Sequence, residues 1–92
     1  MTAEHSDLKQ IVEGLRDVAL HASVRALDGE LFVFAVGRAR RHSLEIRKTK
    51  LVYRLTTWQG PDGNDRLVQE LEVNSIDQAT GAAVEWLSRD HI

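Results

Sequence analysis

The sequence predicts an α+β domain: an N-terminal helix, an antiparallel four- or five-stranded meander and a C-terminal helix. Three observations lead there. Apolar residues near the start recur at helical spacing. Those in the middle alternate at strand spacing around short glycine-containing turns. A capping signature then opens a second helical stretch near the end. At 92 residues the chain has material for one core, so residues 1–92 are expected to form a single α+β domain.

The first helix is predicted over residues 6–21, where Leu8, Ile11, Val12, Leu15, Val18 and Ala19 share one face. Ser6 offers a capping hydroxyl, and Asp7 places a negative charge at the positive end of the helix dipole. Gly14 costs such a helix about 1 kcal/mol relative to alanine. It lies at the edge of the apolar face, where close approach to a neighbour would offset that cost.

Val24–Leu27 and Glu30–Val36 flank Asp28-Gly29. This is a hairpin signal, because a type I′ turn needs positive φ at both central residues. Leu31 to Val36 is apolar on both faces, so the strand it forms wants cover on both sides. Gly37 opens a basic connection, after which Leu44 and Ile46 alternate with Glu45 and Arg47 as a third strand.

In the last hairpin Leu51, Tyr53, Leu55 and Thr57 alternate with Val52, Arg54, Thr56 and Trp58. The return arm sets Leu67, Gln69, Leu71 and Val73 against Val68, Glu70 and Glu72. With residues 60–64 as the loop, Leu51 opposes Val73, Tyr53 opposes Leu71 and Thr57 opposes Leu67 on one face. On the other, Arg54 opposes Glu70 and Trp58 opposes Arg66, so charge, aromatic and aliphatic pairs match together.

Residues 75–89 close the chain as a helix. Ser75-Ile76-Asp77-Gln78 reads as a capping box. The apolar arc runs from Ala82 and Trp86 through Ala79, Ala83, Ile76 and Leu87 to Val84. An arc that broad meets more than one neighbour. The expected core contains Leu8, Ile11, Leu15, Val18, Tyr53, Leu71, Ile76, Ala83 and Leu87.

Composition narrows the function classes. Apolar residues at 42% and charged residues at 28% describe a globular chain. The longest apolar run, Leu31 to Val36, is far too short for a membrane span. The start, Met-Thr-Ala-Glu-His-Ser-Asp, has neither the basic nor the apolar region of a signal peptide. With no cysteine, disulfides, thiolate metal sites and a cysteine nucleophile are excluded, and a cytoplasmic location is expected.

Positive charge is segregated. Arg38, Arg40, Arg41, Arg47, Lys48, Lys50 and Arg54 face only Glu45 between positions 38 and 54, a local charge of +6 in a chain of net charge −2. One reading is weak nucleic-acid or polyanion binding through Arg38, Arg40, Arg41, Lys48 and Lys50. The other is charge pairing within the fold, with Arg54 meeting Glu70 and Arg47 sharing a face with Glu45. A pI near 6.0 favours the second, since nucleic-acid modules lie above about 9.

Element order invites comparison with the double-stranded RNA-binding domain. There a lysine-rich start to the second helix grips phosphates, whereas this chain has Asn74-Ser75-Ile76-Asp77-Gln78. No family is recognised.

No catalytic or metal constellation stands out. His5, His21, His42 and His91 lack the spacing of convergent ligands, so no metal and no cofactor are expected. His21 is expected near the C-terminal end of the first helix. Catalysis would have to draw on His42, Glu45, Tyr53, Asp90 or Ser43. His42 and Ser43 are strand neighbours pointing to opposite faces, so they cannot form a nucleophile–base pair.

What remains is apolar surface. If both helices pack on one face of the sheet, the other shows Val52, Thr56, Trp58, Val68 and half of Leu31 to Val36, more than a small monomer exposes. The expected function is therefore a small non-enzymatic protein-interaction module that self-associates as a homodimer through Val52, Trp58, Val68 and Arg66. Its protein partner is otherwise unspecified, and neither an enzyme nor a membrane protein is expected. A ligand pocket between helices and sheet is the third option.

Overall fold

The computed structural model describes residues 4–49, 52–60 and 66–89, with backbone alone for 4–6 and 66–68. In chain order the elements are α1 (Glu4–Gly14), β1 (Ala19–Leu27), β2 (Glu30–Gly37), β3 (His42–Lys48), β4 (Tyr53–Gln59), β5 (Arg66–Val73) and α2 (Ile76–Ser88). Among the described residues the five strands form one antiparallel sheet in the order β1-β2-β3-β4-β5. The architecture is the expected one: helix, meander, helix.

Helix α1 is shorter than predicted. It stops at Gly14, and the backbone turns through residues 15–18, where Ala19 N–H bonds to the Leu15 carbonyl at 2.9 Å. Leu15 still points inward and is fully buried. The helical spacing therefore runs on past the helix, and β1 takes over at Ala19, earlier than the expected Val24. His21 accordingly sits in β1, paired with Val36, and not at a helix end. Gly14 does mark a close approach: a Cβ there would lie 2.6 Å from Thr80 Cγ2 on α2.

The β1–β2 turn is as the sequence requires, with φ of 53° at Asp28 and 82° at Gly29. The β4–β5 register is not. Tyr53 pairs with Val73, Arg54 with Glu72, Leu55 with Leu71 and Thr57 with Gln69, after which the register shifts so that Trp58 meets Leu67 and Gln59 meets Arg66. The expected pairings of Tyr53 with Leu71, Arg54 with Glu70, Thr57 with Leu67 and Trp58 with Arg66 are thus replaced. Over Tyr53–Thr57 the slip is of two residues, which leaves side chains on their own faces, so burial cannot tell the two registers apart there; beyond the shift it is one residue. Arg54 finds an equivalent carboxylate in Glu72, 3.0 Å away. Leu51, expected opposite Val73, lies outside the described residues.

Helix α2 opens as anticipated. The Ser75 hydroxyl accepts from Gln78 N–H at 3.1 Å, while Gln78 Oε1 accepts from Asn74 N–H at 2.9 Å, one residue before the cap. Small residues Ala79 and Ala83 let α2 lie close to α1, β2, β3 and β4. Trp86 fixes it in place: its indole N–H donates to the Ser43 carbonyl at 3.0 Å, and its ring packs edge-on against His42. Leu8, Ile11, Leu15, Tyr53, Ala83 and Leu87 are buried in the core as expected, whereas Val18, Leu71 and Ile76 are half-buried at its margin.

A polar clamp joins α1 to the sheet. Asp7 Oδ2 accepts from Lys48 Nζ at 2.6 Å and from the Tyr53 hydroxyl at 2.7 Å. The Lys48 hydrogen bond, then that of Tyr53, holds the Asp7 carboxyl below its ordinary range. Burial first, then the Asp7 bond, pushes the Tyr53 phenol up to about 12.

Candidate functional site

Both helices lie on one side of the sheet. The core cluster is built from Val33, Ala35, Leu44, Ile46, Tyr53 and Leu55 together with helix residues. Alternation sends the intervening residues to the opposite, helix-free face. Cross-strand pairing arranges them in rows. One runs Arg25, Phe32, Arg47, Arg54, Glu72, the next Ser23, Phe34, Glu45, Thr56, Glu70, and a third His21, Val36, Ser43, Trp58, with the backbone of Leu67 paired to Trp58.

The aromatic residues of this face are not part of the core. Phe32 is only 8% exposed yet stands outside the core cluster. Its cover comes from charged side chains: the Arg47 guanidinium lies 4.7 Å from its ring centroid, and Arg25 lies 4.6 Å from that of Phe34. Such stacking is worth about 0.5–1 kcal/mol at an exposed site. Phe34, Val36 and Trp58 are half-buried, with Ser43 buried between the last two. Leu20 and Leu27 of β1 are the most exposed large apolar side chains, at 50% and 57%.

Charge on the face is nearly balanced and mostly committed. Arg47 bonds to Glu45 and to Glu30 Oε2, the latter at 2.8 Å, and Arg54 bonds to Glu72. The Glu45 hydrogen bond is the chief reason that the Arg47 guanidinium holds its proton more firmly than usual.

Of the expected interface residues, Trp58 lies on this face and Val52 precedes β4 in the same phase, both half-buried. The side chains of Val68 and Arg66 fall outside the described residues. Arg66 opposes Gln59, so the expected pairing across from Trp58 is not made. Arg25 was placed in the expected strand Val24–Leu27 but was not counted in the face, and the part of β1 before Val24 was missed because the first helix was drawn to residue 21. The Asp28-Gly29 turn held the signal, since a two-residue turn fixes Arg25 opposite Phe32.

Sheet edges are less suited to pairing. The β1 register shifts around Leu20 and the β5 register around Val68. Bulges of this kind, with the charges of β5, blunt edge strands against further pairing.

The basic residues named from the sequence do not converge. Arg38 lies just after β2 and donates twice to the Asp17 carbonyl, at 3.2 and 2.8 Å. Arg40 and Arg41 follow in the same turn, Arg40 with φ of 61°. Lys48 sits at the far end of β3, about 20 Å away, and is paired with Asp7. Lys50 lies outside the described residues.

On the helix side, α2 leaves a cleft beside β5 with a floor of Leu55, Leu71 and Trp86 and a rim of Glu85 and Arg89. It encloses about 210 Å³, below the roughly 300–1,000 Å³ of a typical ligand site. Among the candidate catalytic groups, His42 faces Trp86 while Ser43 lies on the helix-free face, and the Tyr53 hydroxyl is occupied by Asp7. Asp90 lies outside the described residues. Among the described residues no three His, Asp or Glu side chains gather in one place, and no helix is long and apolar enough to cross a membrane.

Comparison with family models, curated proteins and solved structures found no match.

Proposed function

We propose that this chain is a non-enzymatic interaction module that pairs with a second copy of itself through the helix-free face of its sheet. The observation that carries the reading is that Phe32, Phe34, Val36 and Trp58 lie together on that face, outside the core. Aromatic residues and arginine are the groups enriched where protein interfaces are driest. Five strands about 4.8 Å apart and some seven residues long give a face on the order of 500 Å² per copy. That is below the roughly 800 Å² per partner of a standard interface, so the dimer is a weak, concentration-dependent one. A cytoplasmic setting, which the lack of cysteine supports, belongs to the same reading.

The same face could be taken for a platform on which single-stranded bases stack. Its charge speaks against that: Arg25, Arg47 and Arg54 are outnumbered by Glu30, Glu45, Glu70 and Glu72. Polyanion binding through Arg38, Arg40, Arg41, Lys48 and Lys50 has two separated groups to work with, and any such binding is weak and salt-sensitive.

Trp58→Glu tests the reading, because it forces a charge into what would be a dry interface. Light scattering should find this variant monomeric at concentrations where the wild type dimerises, with an unchanged circular dichroism spectrum. Phe34→Glu serves as a second, independent probe of the same face. Dimers that persist in both variants, or submicromolar RNA binding that is lost in Arg40→Ala/Arg41→Ala, would overturn it.

A further inference from the structure

Charge on the helix-free face is uneven in one respect. Arg25, on edge strand β1, is stacked on Phe34 and bonded to His21, and has no carboxylate partner among the described residues. Glu70, on edge strand β5, has no cationic partner among the described residues. The other ion pairs of the face close within β3 or between neighbouring strands. Arg25 and Glu70 are four strand spacings apart, about 19 Å, and cannot meet within one chain.

Two copies packed face to face must be related by a two-fold axis lying in the plane between them, and an isologous interface uses the same patch twice. Aligned sheet packing leaves two orientations for that axis, along the strands or across them. An axis across the strands stacks β1 on β1 and β5 on β5, setting cation against cation and carboxylate against carboxylate. An axis along the strands, lying over β3, places β1 over β5 on both sides and keeps each row at its own height. The Arg25 backbone is in the row of Glu72, but its guanidinium leans over Phe34, into the row that ends in Glu70.

Resting on the self-association proposed above, we infer that the two copies are related by the axis along the strands, with Arg25 of each paired to Glu70 of the partner subunit. In that arrangement β2 lies over β4, so Phe34 and Val36 of one copy face the strand that carries Trp58 in the other. The apolar groups fall near the middle and the two charge pairs at the edges, where they set orientation more than affinity.

The test is a charge swap between two variants, R25E and E70R, followed by sedimentation equilibrium. Each variant alone sets two like-charge contacts at its dimer edges and should dimerise about tenfold more weakly than the wild type. An equimolar mixture makes two opposite-sign contacts per heterodimer, so association should return to near the wild-type level, and the restored association should weaken with added salt. If the wild type dimerises but the variants associate equally well alone and mixed, this orientation is wrong while self-association stands. A wild type that stays monomeric overturns the self-association itself. Circular dichroism of each variant separates either outcome from a loss of fold.

Discussion

Thr80 Cγ2 stands where a side chain on Gly14 would have to go: a Cβ at that glycine would come within 2.6 Å of it. The two helices meet at this point, so the packing of α1 on α2 depends on the missing methyl. Gly14→Ala should destabilise the protein despite alanine's better helix propensity, by about 1–3 kcal/mol for an overpacked site. Thr80→Ala in the same chain removes the obstructing methyl and should recover most of that loss. Urea denaturation of the two single variants and the double variant gives the coupling directly. A stabilised Gly14→Ala would mean the helices are further apart.

Trp86 ties the second helix to the central strand through the Ser43 carbonyl. Replacing Trp86 by phenylalanine keeps an aromatic ring but leaves that buried carbonyl without its donor. The expected cost is about 1–3 kcal/mol, seen as a lower denaturation midpoint with an unchanged slope.

The Asp7 clamp makes stability depend on pH at both ends. Asp7 titrates below its ordinary value of 3.8 in the folded chain. Its contribution is therefore fully present above that value and is lost as pH falls through and below it. Tyr53 keeps its proton up to about 12 against an ordinary 10.0, so its contribution is intact below 10 and disappears between 10 and 12. Asp7→Asn should flatten the acid limb of the midpoint-against-pH curve and Tyr53→Phe the alkaline limb. Unchanged limbs in these variants would show that other groups govern them.

Leu15 and Leu71 separate the centre of the core from its margin. Leu15 is fully buried although it lies beyond the end of α1, whereas Leu71 is half-buried on edge strand β5. Leu15→Ala should cost about 2–5 kcal/mol and Leu71→Ala clearly less. Equal losses would place a helix over β5.

The elements themselves were legible wherever two independent signals coincided. Asp28-Gly29 named both the turn and its register, and Ser75 with Gln78 named the start of α2. Boundaries failed where one residue type serves two structures. Val18, Ala19 and Ala22 fit a helical stripe as well as a strand, and only the conformational cost of Gly14 hinted at the break. The β4–β5 register failed for a different reason. Glu70 and Glu72 are interchangeable partners for Arg54 on the same face, so pair matching had two equivalent solutions. At the candidate site the aromatic run of β2 was visible in the chain, but its arginine cover was not, because Arg25 stacks on Phe34, diagonal to its partner Phe32, and a pairing register does not fix which ring a long side chain covers.

Sedimentation equilibrium of the wild-type protein, from low micromolar to near millimolar concentration, tests the central claim most directly. The mass of two chains should emerge as concentration rises, with a dissociation constant in the micromolar range or weaker. A single-chain mass throughout would contradict it, leaving the arginine-covered aromatic face as the surface of a monomer.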